Sequence, residues 1–312
     1  MSAPTAPPSR RRTPQRPGDR IFAGATRTAG LLILVALAGV AGFLTVEGLP
    51  AFTAPREALF GASNFAAFVG PLLFGTLLAA TLALLIATPL SVGVALVISH
   101  YAPRRLARGV GYLVDLLAAV PSVVYGLWGL GYLGGRLTPV YDWLVAHLGF
   151  LPFFAGPASA TGKTILTAGI VLAIMAIPII TAITREVFLQ TPKLHEEAAL
   201  ALGATRWEMI RMAVFPYAKS GIVSAVMLGM GRALGETMAV AMVLSATGVV
   251  TFNLVGSSNP STIAANIALQ FPESTGLRVN ALIASGLVLF VITFAVNFGA
   301  RAIVARGDRG QT

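Results

Sequence analysis

Two opposite charges lie close together inside a very apolar part of the chain. Arg232 and Glu236 are the only charged residues in the stretch 220–246, and they are four positions apart. That spacing predicts that both side chains share one helix face. A guanidinium donates hydrogen bonds and a carboxylate accepts them, so the two side chains can pair with each other or face a transport pathway. The residues alone leave two interpretations open, a transport pathway or a structural ion pair between helices.

The composition predicts an all-α integral membrane protein. The chain has 312 residues, of which 56% are hydrophobic and only 11% charged, and its mean hydropathy is +0.80. Soluble domains carry about 25% charged residues, so the bilayer is the expected solvent for most of this chain. A charge at mid-membrane costs about 2.5–3.5 kcal/mol on insertion scales and usually faces a pathway or a partner. Arg232 and Glu236 are therefore candidates for a functional site.

Six apolar stretches are long enough to cross a bilayer. They are 28–49, 68–99, 110–133, 162–184, 220–246 and 279–302. The second is oversized, so we expect it to tilt, to kink at Pro89 or to project into the cytoplasm. Most Lys and Arg residues fall in the two tails and in the segments after the second and fourth spans, which places both termini in the cytoplasm. The net charge of +10 is thus explained by topology, without nucleic acid.

These spans predict the division of the chain. Residues 1–27 form a disordered basic cytoplasmic tail, and 28–67 hold the first transmembrane helix and an outer loop. Residues 68–303 form the main transmembrane domain, and 304–312 a second cytoplasmic tail. The other outer loops are 134–161, which is aromatic and suits a re-entrant or interfacial segment, and 247–278.

The longest inner connection, residues 186–219, is predicted to form two short amphipathic helices. Gly203 lies at the turn between them, and Thr205 is placed to cap the second helix. The polar residues that border the apolar positions are of mixed sign, which favours a protein partner over a lipid surface.

This connection resembles the EAA loop of ABC importer permeases. The matching residues are Glu197, Ala198, Ala199, Gly203 and Pro216. Ala213 and Phe215 depart from the usual Ile and Leu but stay apolar. The resemblance implies a MetI-like bundle of six transmembrane helices with both termini cytoplasmic, and a loop that docks on a separate ATPase and transmits its closure.

Three further segments resemble the phosphate-specific permeases of the PstC type. They are Gly231–Val240, GRALGETMAV; Val120–Gly126, VPSVVYG; and the outer-loop stretch from Asn259-Pro260 to Gln270-Phe271. The resemblance implies a phosphate pathway that includes Arg232 and Glu236, in a bacterial inner membrane. It also implies three kinds of partner: a second, PstA-like permease, two copies of a PstB-like ATPase and an extracytoplasmic PstS-like phosphate-binding protein.

No cofactor or metal is expected. The three histidines are scattered, there is no cysteine, and Gly162-Lys163-Thr164 lacks the first glycine of a P-loop. We therefore expect a transport subunit without its own ATPase site. Two other functions stay open: the permease of another ABC oxyanion importer, for molybdate or sulfate, and, remotely, a stand-alone carrier.

Overall fold

The computed structural model describes residues 17–308, and nearly all of that part of the chain is helical. It divides into two compact units, residues up to Val46 and residues from Glu47 onward. The helices are α1 Pro17–Gly48, α2 Phe65–Leu96, α3 Arg104–Ala118, α4 Ser122–Trp128, α5 Gly134–Leu148, α6 Ile165–Leu189, α7 Lys193–Ala201, α8 Arg206–Met209, α9 Phe215–Leu234, α10 Met238–Val243, α11 Ile263–Gln270 and α12 Leu277–Asp308. Short 3₁₀ turns follow α1 and α11, and π-helical turns follow α2, α4 and α8.

Within residues 17–308, five helical runs are long and apolar enough to cross a membrane. They are Gly18–Thr53, Phe65–Tyr101, Ile165–Leu189, Arg206–Leu234 and Leu277–Ala302. A sixth crossing is obtained when α3 and the run Ser122–Leu148 are counted together, although they meet at an angle of 91°. The expected all-α membrane bundle is therefore confirmed.

Side-chain caps define where the central helices begin. The Asn64 side chain accepts from the Ala67 N–H at 2.8 Å at the start of α2, and Thr164 does the same for Thr167 at 3.1 Å at the start of α6. Such caps satisfy backbone donors that have no partner within the helix. The Gly162-Lys163-Thr164 sequence therefore lies directly before α6, and Thr164 caps that helix.

The core of the second unit is built where α2, α6 and α9 meet. Alanines line much of this interface, and small residues let membrane helices approach closely. Two glycines show how close the approach is: a Cβ on Gly169 would lie 2.9 Å from Leu82, and one on Gly229 would lie 2.7 Å from Ile180. Because Gly229 faces the middle of α6, this level of α9 is the middle of the bundle.

Asn259 fastens an irregular segment, residues 244–262, to the start of α6. Its buried side chain accepts from the Ile165 N–H at 3.0 Å and donates to the carbonyls of Lys163 at 3.2 Å and Ser245 at 3.3 Å. Asn253 adds a bond from its side chain to the Ala155 carbonyl. These side-chain bonds, together with isolated backbone bonds such as that from the Leu254 N–H to the Phe153 carbonyl, hold the segment in place of regular structure.

The predicted tails are partly helical. Helix α1 begins at Pro17, so residues 17–27 are helical where disorder was expected, and α12 continues to Asp308, through part of the predicted tail 304–312. Extending an existing helix costs far less than starting one, and proline suits a first helical position. Residues 1–16 and 309–312 lie outside the described residues.

The prediction of a third span at 110–133 was wrong in shape. Helix α3 ends at Ala118, and α4 starts after Pro121, because proline lacks an N–H and disfavours helix at the residue before it. The helix then continues into α5, well inside the predicted outer loop 134–161. Tyr141 stabilises α5 there: it is fully buried, and its hydroxyl lies 2.7 Å from Thr167 Oγ1 on α6.

Candidate functional site: a buried charge site and a coupling loop

The fifth predicted span is broken next to the two charges. Helix α9 ends at Leu234 and α10 starts at Met238, so Arg232 and Glu236 do not share one continuous helix. The prediction of one shared helix face is therefore wrong. Gly235 has a weak helix preference, and the Glu236 carboxylate accepts from the Ala239 N–H at 3.1 Å. This local bond caps the first turn of α10 and competes with a continuous helix.

Arg232 lies less than one helical turn beyond Gly229, near the level where α9 crosses the middle of α6. It is partly buried, and its Nε atom has no hydrogen-bond partner among residues 17–308. Neither Arg232 nor Glu236 takes part in an ion pair within that part of the chain. The site thus holds a cation with an unused buried donor, beside a carboxylate that is engaged with backbone.

Glu236 is 8% exposed, and the helix next to it supplies the wall of the site. A Cβ on Gly126 of α4 would lie 2.8 Å from the Ala239 Cα, so α4 lies directly against the first turn of α10. The segment Val120–Gly126, chosen for its resemblance alone, therefore borders the charge site.

The inner loop has the structure that the sequence predicts. Helices α7 and α8 are short, and Gly203 between them has φ +87°, a left-handed conformation that favours glycine. Thr205 and Glu208 form a capping box: the Thr205 N–H donates to Glu208 Oε2 at 2.7 Å, and the Glu208 N–H donates to Thr205 Oγ1 at 3.4 Å. These bonds hold the start of α8.

The five EAA residues are distributed between the body of the protein and its surface. Glu197 and Ala198 are exposed on α7, whereas Ala199 packs against a buried cluster that includes Phe188 and Ile210. Large apolar side chains of the loop lie open to the surroundings: Leu194, Leu200, Leu202, Trp207 and Met212. A surface of this kind is typical of a protein contact.

Pro216 lies at the start of α9, within one helical run from Arg206 to Leu234. A π-helical turn, Ile210–Val214, directly precedes it. Proline removes one backbone donor from a helix, and such local irregularities absorb the change. The loop and the helix that carries Arg232 are therefore continuous.

His100 is the residue of this region that sequence reasoning missed. Its side chain is 9% exposed, and its Nε2 lies 3.6 Å from Glu196 Oε1. Its Nδ1 contacts Ser99 Oγ at 2.7 Å. A contact between positions so far apart in the chain leaves no signal in spacing or periodicity.

Comparison with known families now identifies the chain. A family model described as "Binding-protein-dependent transport system inner membrane component" matches residues 87–309, which include the broken span and the whole inner connection 186–219. The chain belongs to this family. As a binding-protein-dependent transport system inner membrane component, it is a multi-pass inner-membrane protein and a transport subunit.

Relatives within the family match almost the whole chain. The phosphate transport system permease protein PstC 2 of Mycobacterium tuberculosis is 46% identical over 302 residues, which cover 93% of each chain. The PstC permease of Mesorhizobium japonicum is 39% identical, over 93% of this chain and 91% of the relative.

A solved structure supports the fold. The crystal structure of a bacterial ABC transporter involved in the import of the acidic polysaccharide alginate aligns with a TM-score of 0.56. The alignment covers 91% of this chain and 99% of that chain at 19% identity, so it concerns the helical architecture alone.

Proposed function

We propose that this chain is the membrane-spanning permease subunit of an ATP-driven importer of inorganic phosphate. Its relatives over nearly the full length are named phosphate transport permeases. The observation that carries the proposal for the site is Arg232, a partly buried cation whose Nε donor has no partner among the described residues. A donor left unpaired in a low-dielectric site is costly, and an oxyanion relieves that cost.

In this proposal Arg232 binds the anion as it passes, and Glu236 balances its charge. Phosphate carries one to two negative charges near neutral pH, and a guanidinium matches two of its oxygens at once. A lone arginine at this depth would hold the anion too tightly for release. Because the Glu236 carboxylate is engaged with the Ala239 N–H, it lowers the local positive potential without neutralising Arg232 in a direct pair.

The remaining subunits are supplied by other chains. We infer that a PstB-like ATPase, present twice, binds the open apolar side chains of the inner connection 186–219, the proposed coupling loop. This chain has no complete nucleotide-binding motif of its own. A second, PstA-like permease completes the pathway, and a PstS-like protein delivers phosphate from outside. Glu197, Ala198, Ala199, Gly203 and Pro216 form the contact that transmits ATPase closure.

The proposed orientation of the chain in the membrane has its own test. The chain has no cysteine, so single cysteines report accessibility cleanly. A cysteine at the exposed Ser258 is expected to react with an impermeant thiol reagent added to intact cells, and one at the exposed Arg105 is expected to react only after permeabilisation. The reverse pattern would contradict an outer loop at 247–278.

The charge site is tested by phosphate uptake per assembled complex. Arg232→Gln is expected to abolish uptake while the complex still assembles. Glu236→Gln keeps an acceptor for the Ala239 N–H but removes the charge, so it is expected to lower uptake at normal protein level. Arg136→Gln, a surface change in α5, is the control.

The double variant Arg232→Gln/Glu236→Gln separates the two interpretations. A double variant that assembles but does not transport supports the pathway. If it transports like the parent, Arg232 and Glu236 have no part in the mechanism. Sulfate and molybdate are added as competitors in the same assay. If either anion is taken up more strongly than phosphate, that anion is the substrate.

A further inference from the structure

The sharp bend between α3 and α4 is closed by one side chain. The Tyr125 hydroxyl donates to the Leu117 carbonyl at 3.0 Å and so spans the turn at residues 119–121. The same carbonyl accepts a longer bond, 3.3 Å, from the Val120 N–H. Carbonyls in the last turn of a helix have no partner within it, so the Tyr125 hydroxyl fixes the end of α3 relative to α4.

Helix α3 is itself fastened to the inner end of α6. Arg185 of α6 occupies the space beside Gly111, where a Cβ would clash with its guanidinium, and its Nη2 lies 3.9 Å from Asp115 Oδ2. The bond across the bend therefore places α4 relative to a helix that is already held in position.

Helix α4 and the turn after it fit against α10 without spare room. A Cβ on Gly126 would lie 2.8 Å from Ala239 Cα, and one on Gly129 would lie 2.7 Å from Val243 Cγ1. A closely packed interface of this kind fits in one relative position only. A displaced α4 therefore loses its fit against α10 and no longer holds the first turn of α10, to which Glu236 is bonded.

We propose that Tyr125 is a positioning residue for the charge site: its bond to Leu117 holds α4 where α4 holds the first turn of α10, and with it Glu236. The inference rests on the proposed roles of Arg232 and Glu236. Tyr125 acts through the bend and does not need to touch the transported anion.

The test removes only the hydroxyl. In the complete transporter, Tyr125→Phe is expected to lower phosphate uptake per assembled complex several-fold, with ATPase activity and the amount of complex unchanged. Tyr132→Phe is the matched control, because Tyr132 is exposed and its hydroxyl has no hydrogen bond within residues 17–308. A merely structural role would lower the amount of complex and leave the uptake of each complex intact.

A second pair of variants tests the contact between α4 and α10. Gly126→Ala places a methyl group against Ala239 and is expected to lower uptake per complex as Tyr125→Phe does. Gly131→Ala, in the π-helical turn that follows α4, meets nothing within 4 Å and is expected to behave like the parent. Equal effects of the two alanines would contradict the proposal.

A disulfide reports the geometry without relying on transport. A Cβ at Gly129 would lie 3.9 Å from the Val243 Cβ, within the range for a disulfide, and the chain has no native cysteine to interfere. The double variant Gly129→Cys/Val243→Cys is expected to cross-link readily when both tyrosines are unchanged. Adding Tyr125→Phe is expected to slow the cross-link several-fold, and adding Tyr132→Phe is expected to leave its rate unchanged.

The two readouts separate the possible failures. An unchanged cross-linking rate with Tyr125→Phe overturns the positioning role, whatever happens to uptake. A slower cross-link with normal uptake supports the positioning role and contradicts the pathway role of Arg232 and Glu236.

Discussion

His100, in the π-helical turn that follows α2, lies 3.6 Å from Glu196, the residue before Glu197 of the EAA loop. No residue of α7 is fully buried, so this contact and the packing of Ala199 are the side-chain attachments of that helix to the body identified above. Phe188 packs edge-on against the same imidazole, with ring centroids 6.1 Å apart. The orientation of α7 therefore depends on the end of α2.

We predict that His100→Gln and Glu196→Gln each reduce hydrogen-exchange protection of residues 193–201, because each variant removes one side of the same contact. The double variant is expected to lose no more than the larger single loss. A single partly exposed contact of this kind contributes at most about 0.2–1 kcal/mol, so the effect should be modest. His147→Gln, on the exposed face of α5, is the control. Additive losses would show that His100 and Glu196 act independently.

Gly203 provides a prediction about backbone conformation alone. A Cβ there meets nothing within 4 Å, but its φ of +87° is unfavourable for other residues by about 1–2 kcal/mol. Gly203→Val is expected to distort the turn and to lower the phosphate transported per ATP hydrolysed, without loss of assembled complex. Asparagine tolerates this conformation better, so Gly203→Asn is expected to retain most coupling. Equal coupling in both variants would remove the turn from the mechanism.

The capping box at Thr205 and Glu208 predicts a pH dependence. Bonds from the Thr205 N–H and then from its hydroxyl hold the pKa of the Glu208 carboxyl below its ordinary value of 4.5. A carboxyl with a lowered pKa stabilises the folded form above its ordinary pKa, and this contribution is lost as the pH falls through the lowered value.

Exchange protection of residues 205–214 should therefore be constant from neutral pH down to about 4.5 and decrease below it. Glu208→Gln keeps an acceptor for the box and is expected to remove the pH dependence. A parental profile in Glu208→Gln would assign the transition to another group.

Two glycines of α2 form a matched pair that tests the packing of α2 against the irregular segment 244–262. A Cβ on Gly75 would clash with the Ser261 carbonyl and lie 3.1 Å from Pro260, whereas one on Gly70 meets nothing within 4 Å. Gly75→Ala is expected to destabilise the protein by about 1–3 kcal/mol, as overpacking usually does. Thermal unfolding of the purified complex measures this. An equal melting temperature for Gly75→Ala and Gly70→Ala would show that the segment 244–262 moves to accommodate the added methyl group at little cost.

Local features were readable from the sequence because their signals are local. The cap at Thr205 and the turn at Gly203 each follow from a short run of residues, and both are confirmed. The break at Pro121 also had a signal, but the apolar run on both sides suggested one continuous span. Gly235 and Glu236 carried a similar signal, a weak helix former followed by an acidic cap, which the regular spacing of the two charges concealed.

Contacts between distant segments could not be derived. Asn259 bonds to the start of α6, and His100 contacts Glu196, each pair separated by more than 90 residues. Hydrophobic patterns specify which face of a helix is buried but do not name the partner of an individual polar side chain. Arg232 was identified as a functional candidate from the cost of its charge, whereas its lack of an ion pair among the described residues could be seen only in the coordinates.

The interruption at residues 235–237 also limits what surrounds the protein at that depth. Hydrocarbon offers no hydrogen bonds, so irregular backbone in the middle of a bilayer must be enclosed by protein or line an aqueous space. Gly235 and Met238 are nonetheless exposed on the isolated chain. Acyl chains therefore cannot be the neighbours of this face. A single copy of the chain in lipid would lack the protein or water that this backbone needs beside it.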